Sequence, residues 1–293
     1  MRVRHLNGGS MREIPPPAEG GLKPARAVNH MLLVETDNDG LVLVETGFGQ
    51  NDIDRPQETL GEVFLGRVQP VLDPEQTAIG QLTRLGYRQA DVRHIVVTHL
   101  DLDHTGGLPD FPYAKVHVHE AEYRAAMATT SPHPEHRTRY RPAHWAHRPH
   151  WVTYASRKGD SWFGFDAIQL EGLPPEILLI PLAGHTQGHS TVAVHDGERW
   201  LLHAGDAYYH HGQLDQAHRW SIPGLDALEE ATEVDRPLRI ANQARLRELV
   251  GLHGDQVEVF SAHDPWELQR YDPSPAGTLV AGRTERARGA TRH

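Results

Sequence analysis

Residues 98–104 read Thr-His-Leu-Asp-Leu-Asp-His, and they follow a short apolar run at residues 94–97 that is typical of a buried strand. The stretch contains four side chains that could bind a metal ion: His99, Asp101, Asp103 and His104. In an extended segment alternate side chains point the same way, so the first three can converge while the fourth faces a second position. This one loop could therefore supply ligands to two metal ions.

Three later segments contain further candidate ligands of the same kinds. They are Gly184-His185-Thr186-Gln187-Gly188-His189, Ala204-Gly205-Asp206 and Ser261-Ala262-His263-Asp264. Each segment follows a predicted strand, at residues 177–181, 200–203 and 257–260 respectively. Loops at the ends of buried strands are held rigidly, which a metal site requires. Imidazole and carboxylate ligands favour zinc, iron, manganese or nickel over calcium or magnesium.

The composition is that of a globular protein with a charged surface. The chain has 293 residues, of which 38% are hydrophobic and 23% are charged, and this balance fits one large domain. Its longest apolar runs are far shorter than the roughly 18 residues of a membrane span, and the N-terminus lacks the apolar core of a signal peptide. The net charge of −10 argues against a nucleic-acid partner, because such a surface is normally basic. Without cysteine there are no disulfides or thiolate ligands, and we expect a cytoplasmic protein with no membrane partner.

Strands and helices alternate through both halves of the chain, which predicts the α/β class. Two apolar runs, at residues 31–34 and 41–44, flank an Asp-Asn-Asp-Gly turn and predict a hairpin. Helical patterns cover residues 74–85, 119–128, 225–234 and 239–250, whereas residues 50–73 are predicted to form a loop near the site. We expect a single domain over residues 1–271, followed by a flexible tail at residues 272–293, where prolines and arginines accumulate.

Residues 129–165 have a distinct composition, rich in proline, histidine, arginine and tryptophan. The segment is too short for an independent domain, so we interpret it as a lid-like insertion. Its aromatic and cationic side chains are Arg137, Arg139, Arg141, Trp145, Arg148 and Trp151. Two interpretations stay open: these side chains form a wall of the binding pocket, or they anchor a surface loop to the body of the protein.

The order and spacing of these motifs are similar to those of the metallo-β-lactamase-fold hydrolases. The resemblance extends from about Asn29 to His263, and it implies a four-layer αβ/βα sandwich. Within that superfamily the chain resembles the lactonase-like branch, which includes the N-acyl-homoserine lactonases. That branch carries a tyrosine three residues after the bridging aspartate, and here Tyr209 stands three residues after Asp206.

The resemblance implies a site with two divalent metal ions, for which zinc is favoured. It assigns His99, Asp101 and His185 to one ion and Asp103, His104 and His263 to the other, with Asp206 bridging both. A hydroxide would lie between the two ions and act as the nucleophile. His189 would then have a supporting role, because the ligand set is complete without it.

Asp101 and Glu45 depart from the family pattern. Most hydrolases of the superfamily have histidine in place of Asp101, and most have aspartate in place of Glu45. Two dications with Asp103, Asp206 and hydroxide sum to a formal charge of +1, and adding Asp101 brings this sum to zero. The hypothesis is that the metals are weaker Lewis acids here and that iron or manganese is an alternative to zinc. Related diiron flavoproteins carry a carboxylate at this position, although this chain lacks their flavin domain.

Together these observations predict a metal-dependent hydrolase whose partner is a small-molecule ester, with a lactone as the favoured substrate. Tyr209 would stabilise the developing oxyanion, and Asp103 would carry the proton that must reach the leaving group. Phosphotriesters, thioesters and β-lactams stay open as substrates, because the fold alone does not choose among them. A diiron redox protein, a metal-binding module without turnover and a homodimeric assembly also stay open.

Overall fold

A computed structural model describes residues 1–16, 22–128, 136–155, 160–220 and 222–271. The predicted tail at residues 272–293 lies outside the described residues. Within them, two six-stranded sheets form the centre of the fold. The strands are β1 Arg2–Ile14, β2 Ala25–Glu35, β3 Leu41–Val44, β4 Val92–Val96, β5 Lys115–His119, β6 His150–Tyr154, β7 Asp160–Trp162, β8 Phe165–Gln169, β9 Ile177–Pro181, β10 Ser190–His195, β11 Trp200–His203 and β12 Val257–Phe260.

Each sheet keeps the order of the chain. The first sheet runs β1-β2-β3-β4-β5-β6, with antiparallel pairing up to β3 and parallel pairing from β3 onward. The second runs β12-β11-β10-β9-β8-β7, in which only β11 and β12 are parallel. The predicted hairpin of β2 and β3 is present, with Leu33 opposite Leu43.

Helices cover the outer faces and the edges of the sheets. They are α1 Gln50–Asp54, α2 Pro56–Thr59, α3 Glu62–Val68, α4 Ala78–Arg84, α5 Leu102–Thr105, α6 Glu120–Met127, α7 His136–Arg139, α8 Pro223–Thr232, α9 Arg236–His253 and α10 Pro265–Leu268. Short 3₁₀ turns occur at Pro74–Gln76, Gln89–Asp91, Leu108–Asp110, Pro142–Trp145 and His211–Gln213. None of the helices formed by the described residues is both long enough and apolar enough to cross a membrane.

Three hydrophobic clusters define four layers. Between the sheets, Leu32 and Val96 of the first sheet share a buried cluster with Val192 of the second. On the outer face of the first sheet, Leu82 of α4 belongs to the cluster that includes other side chains of that sheet. On the outer face of the second sheet, Leu246 of α9 lies in the corresponding cluster. Because side chains alternate in direction along each strand, each sheet packs on both of its faces. The expected αβ/βα sandwich is confirmed.

The prediction of a loop at residues 50–73 is wrong, because α1, α2 and α3 occupy most of it. These helices have four to seven residues each, too few to produce a clear helical period. The helix predicted at residues 74–85 is also divided. A 3₁₀ turn comes first, and the Thr77 hydroxyl then accepts the Gly80 N–H at 3.1 Å to start α4.

Part of the predicted insertion belongs to the first sheet. Strand β6 pairs with β5 along its whole length, so Val118 lies opposite Thr153. Trp145 and Trp151 pack against the outer core of the same sheet. The two tryptophans therefore anchor this segment to the body of the protein. That the segment forms a lid over the site stays a prediction.

Candidate metal centre

Strand ends bring the motif loops together at one edge of the sandwich. The first loop follows β4, residues 182–189 connect β9 to β10, and the last two motifs follow the parallel strands β11 and β12. Backbone bonds join the two sheets there: the Ser190 N–H donates to the Thr98 carbonyl at 2.9 Å, and the His30 N–H donates to the Ala262 carbonyl at 2.8 Å. The loops are consequently fixed relative to each other by main-chain contacts.

Two groups of potential ligands meet at this edge. One consists of His99, His185 and Asp206, and the other of Asp103, His104 and His263. In each group the ligand atoms all lie within 4.8 Å of one another. These six side chains, predicted from motifs far apart in the sequence, are therefore brought together in space.

Asp206 faces both groups with different oxygen atoms. Its Oδ2 lies 3.5 Å from Nε2 of His185 and 3.9 Å from Nε2 of His99. Its Oδ1 lies 3.3 Å from Nε2 of His104 and 3.1 Å from Nε2 of His263, and the latter nitrogen is also 3.2 Å from Oδ2. A carboxylate in this position can bind one cation through each oxygen.

The donor set fits two metal ions. Ligand atoms about 2.0–2.2 Å from a tetrahedral ion lie roughly 3.3–3.6 Å from each other, close to the separations around Asp206. Within the described part of the chain, Nε2 of His99 and Nε2 of His104 are buried without a hydrogen-bond partner. Buried polar atoms are rarely left unsatisfied, and a cation bound in each ligand group would satisfy the nitrogen that belongs to it.

Neighbouring oxygen atoms orient the histidine rings. Nδ1 lies 2.8 Å from the Thr98 hydroxyl in His99, 2.9 Å from the Glu45 carboxylate in His104, and 2.9 Å from the Val28 carbonyl in His263. A carbonyl or carboxylate oxygen accepts a hydrogen bond from the Nδ1–H, so the neutral ring keeps its proton on Nδ1 and the Nε2 lone pair is free to bind a metal. Glu45 therefore takes the supporting place in which the family usually has aspartate.

In the metal-free protein, Asp206 and His104 shift each other's pKa in opposite directions. Although burial favours the neutral acid, His263 and His104 keep the pKa of Asp206 well below its usual range. Burial opposes charge on His104 as well, yet Asp206 and Glu45 raise its pKa well above the usual value. Metal ions and protons therefore compete for the same nitrogen atoms.

Asp101 is shared between the histidines and a buried arginine. Its Oδ2 lies 3.2 Å from Nε2 of His185 and 3.5 Å from Nε2 of His99. Its Oδ1 lies 2.8 Å from Nε of Arg139, which is 7% exposed. Burial alone would raise the pKa of Asp101, but Arg139 and His99 hold it well below its usual range.

Arg139 is the residue of the site whose role sequence reasoning missed. It lies at the end of α7, and its guanidinium also donates to the carbonyls of His185, at 3.3 Å, and Thr232, at 2.6 Å. With the positive charge of Arg139 included, the formal charge of the site rises from zero to +1. The hypothesis that Asp101 makes the metals weaker Lewis acids therefore no longer follows from charge alone. No motif signals this role, because the arginine and its carboxylate partner are distant in sequence.

Tyr209 and a large cavity complete the site. The hydroxyl of Tyr209 lies 3.1 Å from Oγ1 of Thr232, and its ring centroid lies 5.5 Å from that of His263. Burial raises the pKa of Tyr209 well above its usual value, so its hydroxyl keeps its proton. A cavity of about 770 Å³ opens onto these residues, with Asp101, Asp103 and Asp206 in its lining.

His189 supports the site without belonging to either ligand group. Its Nδ1–H donates to the Leu182 carbonyl at 3.0 Å, and its Nε2 accepts the Asp206 N–H at 3.0 Å. Burial lowers the pKa of His189 well below its usual value, which keeps the ring neutral. The ring therefore fixes the backbone from which the Asp206 carboxylate projects.

Comparison with known proteins finds a matching family model and related sequences. The model of the Metallo-beta-lactamase superfamily matches residues 25–258. A "probable metallo-hydrolase" of Mycobacterium tuberculosis is 43% identical over 269 residues, which cover 90% of this chain and 81% of that protein. The N-acyl homoserine lactonase AiiA of Bacillus thuringiensis subsp. kurstaki is 27% identical over 162 residues, which cover 55% of this chain and 56% of the lactonase.

Solved structures share the fold. An N-acyl homoserine lactone hydrolase, with the product N-hexanoyl-L-homoserine at its catalytic metal centre, superimposes with a TM-score of 0.62. The superposition covers 92% of this chain and 95% of that one, at 20% sequence identity. At this identity the likeness establishes the architecture, and the chemistry must be argued from the side chains described above.

Proposed function

This chain belongs to the metallo-beta-lactamase superfamily and is a metallo-hydrolase, and from that premise we propose that it opens lactone rings with the help of two metal ions. The observation that carries the proposal is the position of Asp206. Its carboxylate lies 3.1 to 3.9 Å from histidine nitrogens of both ligand groups, with Oδ2 toward His99 and His185 and Oδ1 toward His104. Nε2 of His263 lies near both oxygens. One carboxylate shared in this way is suited to a dinuclear centre.

The proposed ligand set is divided between two ions. His99, Asp101 and His185 would hold one, Asp103, His104 and His263 would hold the other, and Asp206 would contact both. When bound, such a pair supplies Lewis acidity and a nucleophile near neutral pH. Zinc suits a set dominated by imidazole, and the extra carboxylate of Asp101 keeps iron and manganese as alternatives.

Tyr209 and Asp103 are the side chains proposed to act on the substrate itself. Tyr209 lines the cavity and its hydroxyl keeps its proton, so it can donate a hydrogen bond to the carbonyl oxygen as negative charge develops there. Asp103 also lines the cavity, and its carboxylate can take the proton that the attacking hydroxide brings and pass it to the leaving oxygen. These two roles are the ones that ring opening of an ester requires.

The cavity supports a small ester with an apolar chain as the substrate. Its walls include Phe64 and Val68 of α3, together with Leu225 and Leu228 of α8. Binding pockets for small molecules are typically apolar, with a few convergent polar groups. Here the carboxylates of the candidate metal centre form one polar end, and Arg12, Glu13 and Arg67 also line the cavity. An acyl-substituted lactone matches this division between an apolar wall and a polar end.

The test is proton release by the zinc-loaded protein from a panel of lactones with different acyl chains. We expect ring opening in the wild type and its loss in Asp206→Asn, because that change removes the carboxylate shared by both ligand groups. Asp166→Asn is the matched control, since it removes an exposed carboxylate on β8.

Wild-type protein that binds two zinc ions and opens no lactone would contradict the proposed substrate class. Iron-dependent oxygen uptake would instead support the redox alternative.

A further inference from the structure

We propose that Glu122 is a positioning residue that clamps two ligand loops of the candidate metal centre with one buried carboxylate. The inference rests on the proposed metal-binding function and adds to it a residue outside the ligand set. Glu122 lies in the first turn of α6, and its side chain is fully buried. Burying a carboxylate is costly unless hydrogen bonds compensate for the lost water, so its partners indicate what it does.

The partners of Glu122 come from both motif loops. Its Oε1 accepts the Leu100 N–H at 2.9 Å, and its Oε2 accepts the Gly188 N–H at 3.2 Å. The hydroxyl of Tyr140 donates to Oε1 at 3.0 Å. One carboxylate therefore joins the loop after β4 to the loop between β9 and β10, and so links the two sheets.

The two amides that Glu122 holds stand next to candidate ligands. Leu100 lies between His99 and Asp101 in sequence, and Gly188 directly precedes His189, whose ring holds the backbone of Asp206. Moving either amide would shift the adjacent imidazole or carboxylate. The clamp therefore acts on the relative position of the two loops, on which the ligand separations depend.

Gly188 approaches α6 so closely that a larger residue would disrupt the contact. A Cβ atom at position 188 would lie 2.1 Å from the backbone nitrogen of Glu122 and 2.6 Å from its Cα. Real Cβ atoms do not come this close to backbone atoms. The second glycine of the Gly-His-x-x-Gly-His motif thus allows the loop to reach the Glu122 carboxylate.

Organising the loops before metal binding should raise the affinity for the metal. Groups that orient ligands from outside the coordination sphere typically contribute about 10- to 100-fold to metal affinity. Glu122→Gln keeps the volume of the side chain but places an amide NH₂ where one carboxylate oxygen accepted an N–H. We therefore expect its zinc dissociation constant to rise by about 10- to 100-fold.

Zinc affinity is measured by competition with a chromophoric chelator, without reference to any substrate. Tyr140→Phe is the matched control, because it removes the hydroxyl on Oε1 and leaves both backbone contacts in place. We expect its zinc affinity to stay within about twofold of the wild type. Glu122→Gln that binds zinc as tightly as the wild type would overturn the proposal.

A second measurement uses only the wild-type chain and covers the case in which the glutamine variant does not fold. In metal-free protein, the amide hydrogens of Leu100 and Gly188 should exchange slowly, because Glu122 holds both without a metal. Exchange of both at the rate of unprotected amides would overturn the proposal. Zinc binding without lactone opening would contradict the proposed substrate but would not affect the proposal for Glu122. Failure of the proposed function and failure of the Glu122 proposal are therefore distinguishable.

Discussion

At the scale of single residues, the pairing of Asp101 with Arg139 decides the electrostatic character of the site. Asp101 alone would add a negative charge where related hydrolases have a neutral imidazole. Arg139 lies 2.8 Å from that carboxylate, and the two side chains are 7% and 13% exposed. A pair that is this buried depends on both partners, because either charge alone would lack compensation.

Replacing Arg139 by methionine should destabilise the metal-free protein by about 3–5 kcal/mol, because the Asp101 carboxylate is left buried without its partner. The double variant Asp101→His/Arg139→Met should recover most of this loss. Urea denaturation of the four proteins of this cycle measures the coupling. Arg124→Met, which removes an exposed pair on α6, should cost under about 1 kcal/mol. If the double variant lost as much stability as the two single variants together, a specific interaction between Asp101 and Arg139 would be contradicted.

The role proposed for Tyr209 can be tested separately from metal binding. Tyr209→Phe should lower kcat for lactones by about 100-fold, since it removes one donor to the developing oxyanion. Its zinc content should equal that of the wild type, because the hydroxyl is not in the proposed ligand set. Steady-state kinetics and metal analysis on the same samples test both parts. Tyr113→Phe, at a side chain that is 74% exposed, is the control. An unchanged kcat in Tyr209→Phe would remove the oxyanion role.

At the scale of elements, strands were easier to predict than the short helices around the cavity. β9, β11 and β12 have the predicted bounds, because each is a brief apolar run next to a motif. Conversely, α1 to α3 are too short for a helical period, and α3 ends at Gln69 in a left-handed conformation that no sequence signal marked. The seven candidate ligands could be proposed from the sequence because they lie in short motifs, whereas Arg139 and Glu122 act through contacts made only in the folded chain.

Strands β4, β5 and β6 carry a chain of buried hydrogen bonds that should respond to pH. His117 bonds to His94 at 2.8 Å and to the Tyr154 hydroxyl at 2.7 Å. Burial, assisted by the neighbouring His94, lowers the pKa of His117 to about 3 from a usual 6.5. Between these values the unfolded chain binds a proton that the folded chain does not. Stability should therefore decrease as pH falls below 6.5.

The contribution of His117 to stability can be measured from the slope of the free energy of unfolding against pH. Its single proton should change the free energy of unfolding by about 1.4 kcal/mol per pH unit between roughly pH 6 and 4.5. We expect this slope to be shallower by that amount in His117→Leu, as judged by urea denaturation across the interval. Tyr154→Phe should keep the wild-type slope, because the buried imidazole is still present. Equal slopes in His117→Leu and the wild type would show that the histidine does not contribute.

At the scale of the whole molecule, the candidate metal centre lies where the two sheets meet. The backbone bond from Ser190 to Thr98 and the Glu122 clamp cross between the sheets at this edge. Each proposed ion would draw ligands from both sheets. Metal binding should therefore stabilise the association of the sheets as well as the loops themselves.

Removing the metals should lower the melting temperature. A ligand present at about 100 times its dissociation constant adds roughly 2.7 kcal/mol per site, which corresponds to several degrees in a domain of this size. Calorimetry before and after chelation, followed by zinc titration, measures the change and its saturation at two ions per chain. Calcium should not replace zinc, because the site contains imidazole ligands. A melting temperature that does not depend on zinc would contradict a site between the sheets.

Each sheet is built from one half of the chain, with β1 to β6 before residue 155 and β7 to β12 from residue 160 onward. The candidate ligands are divided in the same way: His99, Asp101, Asp103 and His104 precede the boundary, and His185, Asp206 and His263 follow it. Neither half alone holds a complete set for either ion. As a consequence, two fragments of the chain divided at this boundary should each bind metal weakly, and they should regain the proposed dinuclear site only by reassembling.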